Sequence, residues 1–145
     1  MSADDGRIRC EGLVRIYQTT TIEVHALQGL DLEVASGEMI TIIGASGSGK
    51  STLLNILGGL DEPTAGIAQV GGHDLMRMTP AQRTEYRRST VGVVWQQTAK
   101  NLQPYLDARR NVEFPMAVAG VSRRARRARA EELLDLVGLR DRPDH

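Results

Sequence analysis

"IIGASGSGKST", residues 42–52, fits the pattern G-x-x-x-x-G-K-[ST] at every required position from Gly44 to Ser51, with Thr52 beside it. With ordinary glycine usage, a chance match in a chain of this length has a likelihood of roughly five in a thousand. A Gly/Ser turn that merely resembles the pattern is therefore disfavoured. Glycines here let backbone N–H groups converge on an anion, since a side chain would obstruct the approach or forbid the dihedrals. Lys50 supplies a point charge for β- and γ-phosphates, and Ser51 supplies a hydroxyl for Mg²⁺. A helix starting at this point would add its partial positive charge. The candidate phosphate-binding residues are Gly44, Ala45, Ser46, Gly47, Ser48, Gly49, Lys50, Ser51 and Thr52.

The flanks of the loop supply the context this motif needs. Upstream, "EMITII" (residues 38–43) is apolar almost throughout, which predicts a strand buried on both faces of a parallel sheet. Downstream, Leu53, Leu54, Ile56 and Leu57 predict a buried helix ending at Gly58-Gly59. Further upstream, "IRCEGLVRIY" and "LQGLDLEV" read as strands, the second by its alternation of Leu30, Leu32 and Val34 with Asp31 and Glu33. The polar "QTTTIE" connects them, and "ASG" at 35–37 is a turn. After the loop helix, "DEPTAG" is a turn and "IAQVGG" a short strand with a Gly-Gly reversal, returning to the first sheet. Thr79, Pro80 and Gln82 then write out a helix start as N-cap, first helical residue and capping box. "VGVVW" reads as another buried strand and "QQTAKNLQPYL" as the loop leaving it. The rest is mostly helical. Asp107 caps one segment, which Pro115 must kink or end, and Ser122 caps another that closes at Gly138.

Bulk composition excludes more than it assigns. The chain of 145 residues has 18 Lys plus Arg against 18 Asp plus Glu, so net charge gives no argument for nucleic acid or an anionic membrane. One cysteine, Cys10, cannot form an internal disulfide, and "MSADDGRIRC" lacks the apolar core of a secretory signal, which together predict a reducing, cytosolic compartment. No apolar run approaches a bilayer span. His25, His73 and His145 are scattered without ligand spacing, so no metal cluster is expected. The run "SRRARRARAEELLDLVG" places Ala130, Leu133, Leu134 and Val137 on one inward helix face, with the arginine turns before them largely in water. At a membrane such a basic face could help orientation.

"VHALQGLDLEVASGEMITIIGASGSGKSTLLNILGGLDEPTAGIAQVGG" followed by "VGVVWQQ" resembles the first half of an ATP-binding-cassette (ABC) transporter ATPase subunit, from about Ile8 to the C-terminus. "GGLDEPTAG" and the region 79–88 most resemble the lipoprotein-releasing and macrolide-exporter branch. The resemblance implies an α/β phosphate-loop NTPase fold of the ABC ATPase type. Its parts are an N-terminal antiparallel β subdomain, an incomplete core sheet and the start of a helical subdomain. The chain would then be one partial ATP-binding domain, with about 8–97 the β subdomain plus phosphate-loop core and about 98–145 the start of the helical part.

By the same resemblance Tyr17 is the ring that stacks on adenine, a role that suits a flat base, although an ordinary strand tyrosine would look the same. Gln96 matches the family's loop glutamine, whose amide oxygen joins Ser51 at Mg²⁺, whereas adjacent Gln97 reads as a solvated loop residue. Leu102, Pro104, Tyr105 and Leu106 either dock a transmembrane subunit or pack into the domain's own core. The implied cofactors are ATP and Mg²⁺. The implied partners are a transmembrane transporter subunit and a second ATP-binding subunit, with no nucleic acid, and the implied position is peripheral on the cytoplasmic face of the cell membrane.

The sequence contains no "LSGGQ" signature, no assignable catalytic glutamate and no switch histidine. Hydrolysis needs a water-activating base and cover over the γ-phosphate. The expectation is a fragment that binds ATP and does not turn it over alone. Missing later strands would leave the loop strand with an exposed edge. The alternatives are a non-catalytic ATP-sensing or interaction module, and a phosphate-loop kinase or GTPase, against which stand the absence of N-K-x-D and the position of Tyr17.

Overall fold

The computed structural model describes residues 6–140, which divide into two compact units between Gly92 and Val93. The first unit is built on a four-stranded antiparallel sheet in the order β2-β1-β3-β4, comprising β1 (Ile8–Gln18), β2 (Glu23–Val34), β3 (Ala65–Val70) and β4 (His73–Asp74). Strand β1 is central, pairing Cys10 with Leu32 on one side and with Ala68 on the other. A bulge breaks its register after Glu11, where Gly12 takes a φ of 52° and donates its N–H to Asp31 Oδ1 at 2.6 Å. Gly66 of β3 crosses this bulge so closely that a Cβ would lie 2.4 Å from the Gly12 carbonyl oxygen. The bulge thus requires a residue without a side chain on the neighbouring strand.

Helix α1 (Lys50–Leu57) lays Leu53, Ile56 and Leu57 on the sheet, and these join Cys10, Leu13, Leu27, Ala68, Val70 and Leu75 in one buried cluster. Helix α2 (Pro80–Ser89) adds Tyr86, fully buried, whose hydroxyl donates to the Leu57 carbonyl at 2.5 Å. The start of α2 follows the reading from sequence closely. Thr79 accepts from the Gln82 N–H, Gln82 Oε1 accepts in return from the Thr79 N–H, and Pro80 opens the helix. Among the described residues, three of the four α-helices end in the same way. Gly59, Gly120 and Gly138 take φ of 66°, 80° and 72°, and the pairs of bonds Gly59→Ile56 and Leu60→Asn55, Gly120→Ala117 and Val121→Met116, Gly138→Asp135 and Leu139→Leu134 close Schellman caps.

Two strand expectations are corrected. Residues 38–45 and 91–95 pair with no strand among the described residues. Only Ile42 and Val91 pack against the core; Met39, Ile43 and Val94 are 95%, 89% and 89% exposed. The apolar runs are real, but a parallel strand is held by ladders on both sides and covered on both faces. The described residues provide only the antiparallel sheet, to which α1 is already committed.

The second unit consists of a short 3₁₀ turn at Thr98–Lys100, α3 (Ala108–Val118) and α4 (Arg123–Leu136). Asp107 and Ser122 cap the two helices as expected, accepting from the N–H groups of Arg110 and Ala125. Pro115 does not end α3, which continues three residues beyond it. On α4, Ala130 and Leu134 are buried and Leu133 is half-buried, but Val137 is 68% exposed, because the helix has already closed at Leu136. Of the arginines, Arg126 reaches Glu113 on α3 at 3.4 Å, while Arg127 and Arg129 pair with Glu131 and Glu132 on their own helix. No described helix is long and apolar enough to cross a membrane.

Candidate functional site

The glycine loop leaves the core at Ile42 and enters α1 at Lys50. Gly49, in the N-cap position with φ 88°, offers no side-chain cap, so the first N–H groups of α1 are met by no side chain. The fit of the loop to its bed is tight at two places. A Cβ on Gly49 would lie 2.5 Å from the Ala26 carbonyl oxygen and 2.9 Å from a Leu27 methyl on β2. A Cβ on Gly44 would lie 2.7 Å from Ser48 Oγ. Gly47, with φ 80°, turns the chain between them, and Ala45 and Ser46 are exposed on its outer side. Lys50 bends back over the loop, donating from Nζ to the carbonyls of Gly44 and Ala45 at 2.8 and 2.6 Å and to Ser48 Oγ at 3.1 Å. Ser51, exposed, and Thr52, half-buried, occupy the first turn of α1.

These features set donors side by side along the loop and the first turn of α1. The backbone amides at the uncapped helix start, the lysine ammonium and the Ser51 hydroxyl suit a polyphosphate and a hard divalent cation. The residues read from the loop are therefore brought together, and the positions that must be glycine are those where a side chain would meet a wall.

Tyr17 lies on β1 opposite Val24 of β2, two residues from the Ala26 carbonyl that Gly49 approaches. Its ring is 37% exposed, and the Arg15 guanidinium lies over it, 4.4 Å from the centroid. The Tyr17 hydroxyl donates to Asp61 Oδ2 at 2.5 Å, and Arg15 reaches the same carboxylate at 2.7 Å. Reading the sequence missed this triad. Asp61 reads as a turn residue after α1, and nothing in linear spacing joins position 61 to 15 and 17.

Gln96 belongs to the second unit, where it is exposed on a loop braced from within. Asn101 accepts from the Trp95 N–H and donates to the Trp95 carbonyl, both at 2.7 Å, and the Lys100 ammonium lies over the Trp95 ring. Asn111 does the same for the chain ahead of α3, accepting from the Gln103 N–H and donating to the carbonyls of Gln103 and Leu106. Leu102, Pro104 and Tyr105 are exposed on this loop and Leu106 is half-buried. Core packing is thus excluded for the first three. No group of three or more His, Cys, Asp or Glu side chains converges as a metal site among the described residues, and His145 lies outside them.

The family model described as "ABC transporter" matches residues 27–145. The chain belongs to the ABC transporter family. Its relatives include an uncharacterized ABC transporter ATP-binding protein of Thermotoga maritima, 48% identical over 131 residues, which are 90% of this chain and 55% of that protein. The lipoprotein-releasing system ATP-binding protein LolD of Chromohalobacter salexigens is 41% identical over 138 residues, 95% of this chain and 57% of LolD. The macrolide export ATP-binding/permease protein MacB of Salmonella typhi is 44% identical over 131 residues, 90% of this chain and 20% of MacB. The lipoprotein-releasing and macrolide-exporter branch expected from the wording around the loop is thus represented among its relatives. Among solved structures, a dimeric post-hydrolysis ATP-binding cassette bound to ADP and Pi superposes with a TM-score of 0.81 at 34% identity, over 95% of this chain and 60% of that one. This ABC chain therefore spans a little over half the length of the ATP-binding proteins it matches.

Proposed function

We propose that this chain binds Mg–ATP as an ATP-binding subunit of an ABC transporter, coupling nucleotide binding and hydrolysis to transport across a membrane. The observation that carries this reading is the start of α1, where a helix without a side-chain cap opens directly behind a glycine loop and places Lys50 beside it. An anion seated there meets backbone donors that have no side-chain competitor. Lys50 exchanges its loop carbonyls for phosphate oxygens, and Gly44 and Gly49 keep the floor open. Tyr17 provides the surface for adenine. Mg²⁺, for which Ser51 offers its hydroxyl, would neutralise phosphate charge when bound. LolD by name belongs to a lipoprotein-releasing system and MacB combines an ATP-binding part with a permease. By analogy this chain works against a transmembrane subunit, through a surface that includes exposed Leu102 and Tyr105, and pairs with a second ATP-binding subunit at the cytoplasmic face of the membrane.

The 145-residue chain on its own holds ATP without cleaving it, because it offers a cradle but no assignable base for the attacking water. Calorimetry with Mg–ATP on the chain and on Lys50→Ala, with phosphate release followed in parallel, tests both statements. The expected outcome is binding by the parent, at least tenfold weaker binding by the variant, and phosphate release by neither. Equal affinities would remove the phosphate-loop reading, and Lys50-dependent release would remove the claim that the chain alone is inactive.

A further inference from the structure

The turn that leaves α1 is stitched to β1 at four consecutive residues. The Thr64 N–H donates to the Val14 carbonyl at 2.8 Å, and the Ile16 N–H donates to Thr64 Oγ1 at 3.0 Å. Arg15 and Tyr17 both bond the Asp61 carboxylate, Arg15 through Nε at 3.1 Å and a terminal nitrogen at 2.7 Å, Tyr17 through its hydroxyl at 2.5 Å. The side chains of Arg15 and Asp61 are only 22% and 19% exposed, so this pair is sheltered compared with an ordinary surface pair. A tyrosine ring has two torsions. Here the bond at its hydroxyl fixes where the ring ends, and the guanidinium on one face leaves a flat ligand only the other.

We propose that Asp61 is a positioning residue for the base platform: with Arg15 it locks the Tyr17 ring in the orientation that adenine stacks on. The inference rests on the reading of Tyr17 as the adenine-stacking residue. Its physical consequence is that one helix carries both ends of the nucleotide site. The N-terminal end of α1 is seated on β2 at Ala26, its exit turn is fastened to β1 at 14–17, and the two strands are themselves paired, Arg15 with Leu27 and Tyr17 with Val24. A ring already immobilised loses little rotameric freedom when a base settles on it, so more of the stacking energy appears as affinity. Inorganic tripolyphosphate, which has no base, gains nothing from the lock.

The test is calorimetry on the full chain with Mg–ATP and with Mg–tripolyphosphate, for the parent, Tyr17→Ala, Tyr17→Phe and Asp61→Asn. Tyr17→Ala is expected to abolish the preference for ATP over tripolyphosphate. Tyr17→Phe and Asp61→Asn are expected to bind Mg–ATP roughly three- to tenfold more weakly, with tripolyphosphate affinity unchanged, a ratio that a general loss of fold would not produce. If Asp61→Asn weakens both ligands together, Tyr17→Phe, which keeps the ring and removes only the bond, decides. Parent-like ATP affinity in Tyr17→Phe, with the preference lost in Tyr17→Ala, overturns the positioning role while leaving the platform standing. An undiminished preference in Tyr17→Ala, or no binding by the parent, overturns the platform and the role with it.

Discussion

Gly49 combines two constraints that glycine alone meets: a φ of 88° and a wall of β2 backbone where a Cβ would project. Gly49→Ala must both hold a left-handed conformation and push the loop from Ala26, and each of these costs about 1–3 kcal/mol. Urea unfolding should show a lower midpoint together with weakened Mg–ATP binding; a variant as stable as the parent would mean that the loop does not rest on that carbonyl. The necessity of glycine was legible from the motif, but the contact behind it was not. The same holds for Asp61. Its turn was readable from "DEPTAG", while its bonds to Arg15 and Tyr17 arise because the fold lays that turn against the end of β1, more than forty residues away in sequence.

Local chemistry decided which elements could be read in advance. Helix starts and stops are written within five or six residues, by Thr79 with Gln82, Asp107, Ser122 and the glycines that follow α1 and α4, and each was found where the sequence put it, whereas the stop of α3 at Gly120 was not read. Strands β1, β2 and β3 show the alternation or turn signals of a sheet with one buried face. "EMITII" and "VGVVW" failed as strands because apolar runs specify a wish for cover without specifying what supplies it. Of the two outcomes open to Pro115, a kink or an end, the end is excluded, since α3 runs on to Val118. At the start of α2, Thr79→Ala removes the hydroxyl that accepts from Gln82 and should lower unfolding free energy by about 1 kcal/mol. Circular dichroism during urea unfolding would reveal it, and an unchanged midpoint would mean that Pro80 and the return bond from Gln82 suffice to start the helix.

For the molecule as a whole, the first unit's core carries two titratable groups, Cys10 and Tyr86, in one buried cluster. Burial pushes the Cys10 thiol from its ordinary 9.0 up to about 11, and the Tyr86 hydroxyl from 10.0 up to about 12. Both are acids kept neutral by the fold, so above pH 9 the unfolded chain releases protons that the folded one retains. Their contribution is complete below pH 9 and is lost progressively as pH rises from 9 towards 12. Urea midpoints should therefore be level with respect to these groups between pH 7 and 9 and then fall. Cys10→Ala should delay the onset of that fall towards pH 10, and a midpoint that holds to pH 11 in the parent would contradict the burial of both groups.

The close approach of Gly49 to Ala26 also bears on the order of synthesis. Chains fold from the N-terminus as they emerge, and the β1–β2 hairpin, with its connection of four residues, 19–22, precedes the loop that rests on it. The bed for the glycine loop is thus made before the loop itself. A shift of one residue in hairpin register would reverse the face on which Leu27 lies and carry Ala26 out of place. Errors in the first thirty-four residues would consequently be inherited by the glycine loop, although none of them belongs to its motif.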